Sequence, residues 1–302
     1  MFQSFAEIIA AARQRERVKI AVAAAADADV LIAVNEAKKA GIADAILVGD
    51  GVDIERICRE QGIDSGIFEI EHEPDVRLAA RRAATLVRSG NAQVMMKGLV
   101  GTADFMRAVL NKNEGLGTGR LLSHVVVFEA PGYQRLMTLT DAAINIAPDL
   151  PQKVQIIENA LTVTTAIGIR EPRIAMLAAV ETVNSAMKAT EDAALVAKMA
   201  ERGQIKGCRI DGPLALDNAV SAAAAKHKGI GGDVAGMADV LVVPYIEVGN
   251  VLYKALVYFA EAPLGGIVMG AAAPVVLTSR ADSPQNKVNS IALAVVASGA
   301  KE

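Results

Sequence analysis

Tryptophan is absent, and aromatic residues make up only 3% of the 302 positions, so the core must be assembled from Ala, Val, Ile, Leu and Met. Cysteine is as scarce. Cys58 and Cys208 lie far apart and form no C-x-x-C or zinc spacing, which excludes a disulfide scaffold and points to a reducing compartment. The expected location is the cytoplasm. Three histidines, His72, His124 and His227, form no H-E-x-x-H or H-x₃-H array, so no protein-built metal site is expected. Charge of one sign is missing too: 31 Lys+Arg against 34 Asp+Glu give a net charge of −3, which excludes a polybasic binder of nucleic acid or anionic membrane. No run approaches the roughly 18 apolar residues of a spanning helix. The nearest, Gly265 to Leu277, is short and contains Pro274.

Several enzyme signatures are also lacking. No G-x-x-x-x-G-K-[ST] or G-x-S-x-G occurs, and the glycine cluster from Gly229 to Gly236 misses the G-x-G-x-x-G register. A P-loop NTPase, a standard dinucleotide enzyme and an α/β-hydrolase are therefore disfavoured.

What remains is apolar (52%) and globular in composition, and its length exceeds the usual size of a single core, so two domains are expected. Charges from Glu7 to Arg17 make Phe2 to Arg17 a helix rather than a secretory leader. Short β-branched runs then alternate with Ala-rich helical stretches. Strands are expected at Lys19 to Ala23, Ala45 to Val48 and Gln93 to Met96, with helices at Asp29 to Ala40 and Asp75 to Arg88. This βαβ rhythm predicts an α/β fold with a mostly parallel sheet flanked by helices. Ser123 to Phe128 and Arg135 to Leu139, joined by Ala130-Pro131-Gly132-Tyr133, predict a hairpin. Further on come helices at Pro151 to Ile167, Glu191 to Arg202, Val251 to Ala260 and Pro284 to Ala297. Strands are expected at Arg173 to Leu177, Asp239 to Val243, Ile267 to Gly270 and Val275 to Thr278.

Two strand-to-helix junctions could hold chemistry. In the first, Met96 leads into Lys97-Gly98-Leu99-Val100-Gly101-Thr102, with Thr102 the expected N-cap and Arg107 further along the helix. Unpaired amides at a helix N-terminus, glycines that admit an anion and two cations suit phosphate. An ordinary capped turn with two solvated cations fits the same residues. In the second, Val275 to Thr278 leads into Ser279-Arg280-Ala281-Asp282-Ser283-Pro284, with Ser283 as N-cap and Pro284 at N1. Capping accounts for Ser283 but leaves Arg280 without a role. A third segment, Pro244 to Lys254, offers Asn250 as a further N-cap. His124, inside an apolar run, and His227, in a basic stretch, read as core and surface residues.

Read in order, these segments resemble the phosphate acetyl/butyryl transferase family, and its butyryl branch more closely. The resemblance rests on Met96 to Asp104, Thr140 to Asn145, Asp211 to Asp217, Ala238 to Pro244, Gly249 to Lys254 and Ser279 to Asp282, with Lys287 and Ser290 to Ala294. It implies a two-domain isocitrate/isopropylmalate dehydrogenase-like fold with the active-site cleft between domains. The first domain would be 1–121 plus 266–302, and 122–265 would be inserted into it. It implies reversible acyl transfer, acyl-CoA + phosphate ⇌ acyl phosphate + CoA, with coenzyme A as substrate, no tightly bound cofactor, no metal, and a homodimer or higher homo-oligomer. A short acyl chain of butyryl size is expected, with acetyl the alternative.

The resemblance also distributes roles. Ser279 and Arg280 match an adjacent Ser-Arg pair at the active site, and Arg107 matches an Arg that follows a Thr-Ala-Asp element. The family's base, an Asp seven residues beyond the Ser, falls here on Asn286, so Asp282 takes its place as candidate, with Asp141 and Glu247 next in line. Lys97, Gly98, Gly101, Thr102, Arg107 and Asn250 complete the expected phosphate or CoA-binding set. Two rivals remain from other classes. One is an NAD-dependent decarboxylating dehydrogenase on the same fold, for which no cluster of acidic ligands surrounds Asp211, Asp217 or Asp239. The other is a non-catalytic regulator that binds CoA or phosphate.

Overall fold

β1 (Val18–Ala23) shows why the chain begins as it does: every residue but Lys19 is apolar and buried, the pattern of a strand covered on both faces. A computed structural model describes residues 1–16, 18–278 and 282–299. The chain divides into two compact units, one of Ser4–Arg120 with Pro263–Glu302, the other of Met1–Gln3 with Leu121–Ala262.

In the first unit, α1 (Phe5–Arg13) and β1 are followed by α2 (Ala28–Lys39), β2 (Ala43–Gly49), α3 (Gly51–Glu60), β3 (Glu69–His72), α4 (Val76–Arg88), β4 (Val94–Lys97) and α5 (Thr102–Val109). The chain returns later with β10 (Leu264–Met269), β11 (Val275–Val276) and α11 (Pro284–Ser298). The strand order is β3-β2-β1-β4-β11-β10, parallel except that β10 runs against β11. α4 lays Ala79, Ala80, Ala83 and Ala84 inward, and these small side chains let it approach β1 closely. α11 is buried all round from Lys287 to Ala297 and packs on β10, α1 and α2.

In the second unit, β5 (Ser123–Glu129) and β6 (Leu136–Thr140) form the expected antiparallel hairpin. α6 (Leu150–Ala166), β7 (Arg173–Leu177), α7 (Lys188–Glu201), β8 (Arg209–Leu214), α8 (Leu216–Val220), α9 (Ala222–His227), β9 (Val240–Val242) and α10 (Ile246–Tyr258) follow. The order is β5-β6-β9-β7-β8, with all pairings after the hairpin parallel. Both units are thus α/β, with mostly parallel strands flanked by helices. Among the described residues, no helix is long and apolar enough to cross a membrane.

Several expectations change. α10 begins at Ile246 rather than Val251, because Gly249 is not a breaker here: it lets the helix lie against the turn after β6, where a Cβ would come 2.9 Å from the Cα of Ala142. α3 and β8 were not expected at all. Asp50 caps α3 through Val52 N–H at 3.0 Å, so Gly49-Asp50-Gly51 is a helix start.

Candidate active site

The strand order reverses direction between β1 and β4. From β1 the chain builds outward through β2 and β3, and α4 then carries it back to β4 on the other side of β1. Open α/β sheets hold ligands at such a switch point, outside the carboxyl ends of the strands. Here those ends belong to β1, β4 and β11, which lie side by side and parallel. The backbones touch at the crevice: Gly98 N–H donates to the Ala23 carbonyl at 2.8 Å and Leu99 N–H to that of Ala24 at 2.7 Å. A Cβ on Gly98 would strike the Ala24 carbonyl and stand 2.7 Å from that of Ala23, so only glycine fits.

Lys97 ends β4 and is buried, its Nζ donating to the Gly98 carbonyl at 3.3 Å. One expectation is corrected at the start of α5. Gly101 is the N-cap, extended at φ −62° and ψ 139°, and Thr102 is the first helical residue, already turned inside the helix where its hydroxyl makes no cap bond. The first-turn amides of α5 therefore lack a side-chain cap, which is the state an anion site requires. Arg107 is exposed in the last turn and ion-paired to Asp104. It lines a polar pocket of ≈ 430 Å³ with Asp75, Arg77, Arg81 and Asp104. Arg81 is held by Glu114, Nη2 to Oε2 at 2.8 Å.

Beyond β11, Ser279 and Arg280 lie outside the described residues. Asp282 is 4% exposed. Ser283 caps α11 by accepting from Asn286 N–H at 3.2 Å, with Pro284 at N1, as the sequence predicts. Asn286 is committed elsewhere, its Oδ1 accepting from Leu264 N–H of β10 at 3.3 Å. Lys287, which the sequence reading gave no role, is buried, and its Nζ donates to the main-chain carbonyl of Asp282. The signal was there: a lysine one turn into a Pro-initiated helix sits at the positive end of the helix dipole, where cations are disfavoured.

The structure therefore places Lys97, Gly98, Gly101, Thr102 and Asp282 in one unit, on segments that follow the paired strands β4 and β11. Asn250 belongs to the other unit. It is not an N-cap, because the helix has already begun at Ile246; its Nδ2 reaches the Ala142 carbonyl at 3.4 Å. Asp141, beside it, is fully occupied: its carboxylate accepts from the amides of Ala143, Ile144 and Asn145 at 2.9, 3.1 and 3.1 Å and from Asn145 Nδ2 at 2.6 Å. Glu247 is exposed in the first turn of α10. With Lys188, Thr190 and Tyr245 it adds polar groups to a mainly apolar pocket of ≈ 950 Å³ at the carboxyl ends of β7, β8 and β9.

Other ionisable groups have structural explanations. Asp192 is held below the usual carboxylate range: burial works to raise it, but hydrogen bonds from Lys153 and Lys188, with their charges, outweigh that. The Cys208 thiol is pushed up to about 11 by burial and then by the charge of Glu171, and burial likewise raises Cys58. Neither is an activated nucleophile. His124 is buried and His227 exposed, as expected.

Comparison with known proteins agrees with this geometry. A family model described as phosphate acetyl/butaryl transferase matches residues 4–81 and 65–295. The phosphate butyryltransferase of Clostridium acetobutylicum is 54% identical over 301 residues, 100% of each chain. That of Clostridium beijerinckii is 51% identical over 98% of each. Among solved structures, a branched-chain phosphotransacylase from Enterococcus faecalis V583 superposes with a TM-score of 0.84 at 33% identity, covering 93% of this chain and 99% of that one. The chain belongs to the phosphate acetyl/butaryl transferase family.

Proposed function

We propose that the chain is a phosphate butyryltransferase, moving a short acyl group reversibly between coenzyme A and inorganic phosphate. The observation that carries this reading is 54% identity along the whole of both chains with an enzyme of that name. CoA is then a substrate, joined by phosphate and acyl phosphate, and no tightly held cofactor is needed because no electrons move. The isocitrate/isopropylmalate dehydrogenase-like arrangement, with 1–121 plus 266–302 as first domain and 122–265 inserted, belongs to the same proposal, as do the homo-oligomeric state and the cytoplasmic location.

The roles follow from the chemistry. In the direction that makes acyl-CoA, the thiol of CoA, with an ordinary pKa near 8.5, must lose its proton as the sulfur attacks the acyl carbon. Asp282 takes that proton, the C–S bond forms, and the acyl C–O bond breaks to release phosphate. In reverse, a phosphate oxygen attacks the thioester and Asp282 returns the proton to the departing sulfur. The Ser279 hydroxyl and the uncapped amides at the start of α5 stabilise the tetrahedral oxyanion. Arg280 and Arg107 hold phosphate oxygens in bidentate fashion, a geometry lysine cannot match. Lys97 adds positive charge, Gly98 and Gly101 let the ligand approach the backbone, and Thr102 and Asn250 offer polar contacts. Few aromatics leave aliphatic packing as the contact for adenine.

What supports this assignment is the shared position of Lys97, Gly98, Gly101 and Asp282 at the carboxyl ends of β4 and β11. The test is phosphate-dependent release of CoA thiol from butyryl-CoA and from acetyl-CoA. Faster release from butyryl-CoA is expected, faster release from acetyl-CoA would move the chain to the acetyl branch, and no release from either would overturn the reading.

A further inference from the structure

We propose that Lys287 is a positioning residue for acyl transfer: its ammonium pins the Asp282 turn to the start of α11, with Asp29 of α2 steering it. Lys287 is 2% exposed, and its hydrogen-bond acceptor among the described residues is a backbone oxygen, the carbonyl of Asp282. Its nearest carboxylate partner, Oδ2 of Asp29, stands at 3.8 Å on a side chain that is 49% exposed, beyond hydrogen-bond length.

Three physical terms oppose a lysine here. Burial penalises the ammonium, the first turns of α11 present the positive end of the helix dipole, and among the described residues no carboxylate comes within hydrogen-bond length to repay the desolvation. A methionine would fill the same space without those costs. A sequence that retains the charge against all three uses it for something other than stability. The geometry says what. Lys287 joins Asp282, the N-terminal turn of α11 and the N-terminal turn of α2, the last of which follows the carboxyl end of β1. Asp282 stands immediately before the cap residue Ser283, and its carbonyl accepts from Lys287, so its backbone is tied to the first turns of α11.

The inference rests on the acyl-transfer reading above. The experiment compares the full-length wild type with Lys287→Met and Asp29→Asn, measuring kcat, KM for butyryl-CoA and the thermal midpoint. Lys287→Met is expected to lower kcat about 100-fold, the scale of a reacting group displaced by about 1 Å. Its KM should stay within about twofold, and its midpoint should not fall, since an opposed buried charge has been removed. Asp29→Asn, at a half-exposed site, should fold normally and lose kcat several-fold with unchanged KM. A Lys287→Met enzyme with wild-type kcat, or one whose midpoint falls while kcat is kept, overturns the proposal. So does full kcat in Asp29→Asn, which decides the matter even if Lys287→Met does not fold. A wild type without phosphate-dependent CoA release would instead defeat the acyl-transfer reading, a distinguishable failure.

Discussion

Lys153 and Lys287 are each 2% exposed, one in each unit, and they meet their surroundings in opposite ways. Lys153 donates to Asp192 at 2.7 Å, a carboxylate as buried as itself and ion-paired also to Lys188, and its ammonium lies 5.8 Å from the centre of the Tyr245 ring. That is a matched charge, explained by its own fold. Lys287 rests on a backbone carbonyl with its carboxylate at arm's length, and the fold around it gives no return for the charge. The same contrast separates two aspartates. Asp141 gives its oxygens to four donors within its own turn, whereas the main-chain carbonyl of Asp282 accepts from the buried Lys287 ammonium.

The largest effect that could break this contrast is at Asp282. Asp282→Asn should lower turnover by about 10²- to 10⁴-fold while the dissociation constant for CoA stays put. Full turnover would remove it as the base. Next, Lys153→Met should cost about 3 kcal/mol of unfolding free energy by leaving Asp192 short of a partner, with kcat of the folded enzyme unchanged. If denaturant unfolding shows no loss, the pair is not structural and the contrast with Lys287 fails. A smaller loss, about 1–3 kcal/mol, is expected for Asp141→Asn, whose new amide would face donors instead of accepting from them. Its kcat should remain within twofold, and a collapse of kcat at unchanged stability would return Asp141 to the chemistry.

The smallest effect is on pH dependence. Asp192 is depressed in the folded state, so its contribution to stability is present above its unfolded value, near 4, and is lost as pH falls through the lower folded value. The wild-type unfolding midpoint should therefore drop on acidification below about pH 4 more steeply than that of Asp192→Asn. Parallel slopes would take Asp192 out of the acid response.

The β4 junction was legible because its signals are local: an apolar run, a lysine, two glycines and a helix pattern follow one another within eleven residues, Val94 to Asp104. Ser283 and Pro284 were legible for the same reason, cap and N1 standing side by side. Thr102 misled because glycine and threonine are about equally common N-caps, and here the extended Gly101 already supplies the turn. β3, with the sequence Glu-Ile-Glu-His, is a half-exposed edge strand without an apolar pattern to betray it. The commitment of Asn286 to β10 depends on where a residue 22 positions away in sequence comes to lie, and no period or motif carries that information.

The split construction of the first unit has a bearing on synthesis. A growing chain completes every strand of the 121–262 unit before it has made β10, β11 or α11. Until those emerge from the ribosome, β4 lacks the neighbour that pairs with Met95 and Met96, and its apolar edge waits uncovered. Units fold as they are completed, so the unit that makes most of its strands first closes last, and Asp282 is set only with that closing step.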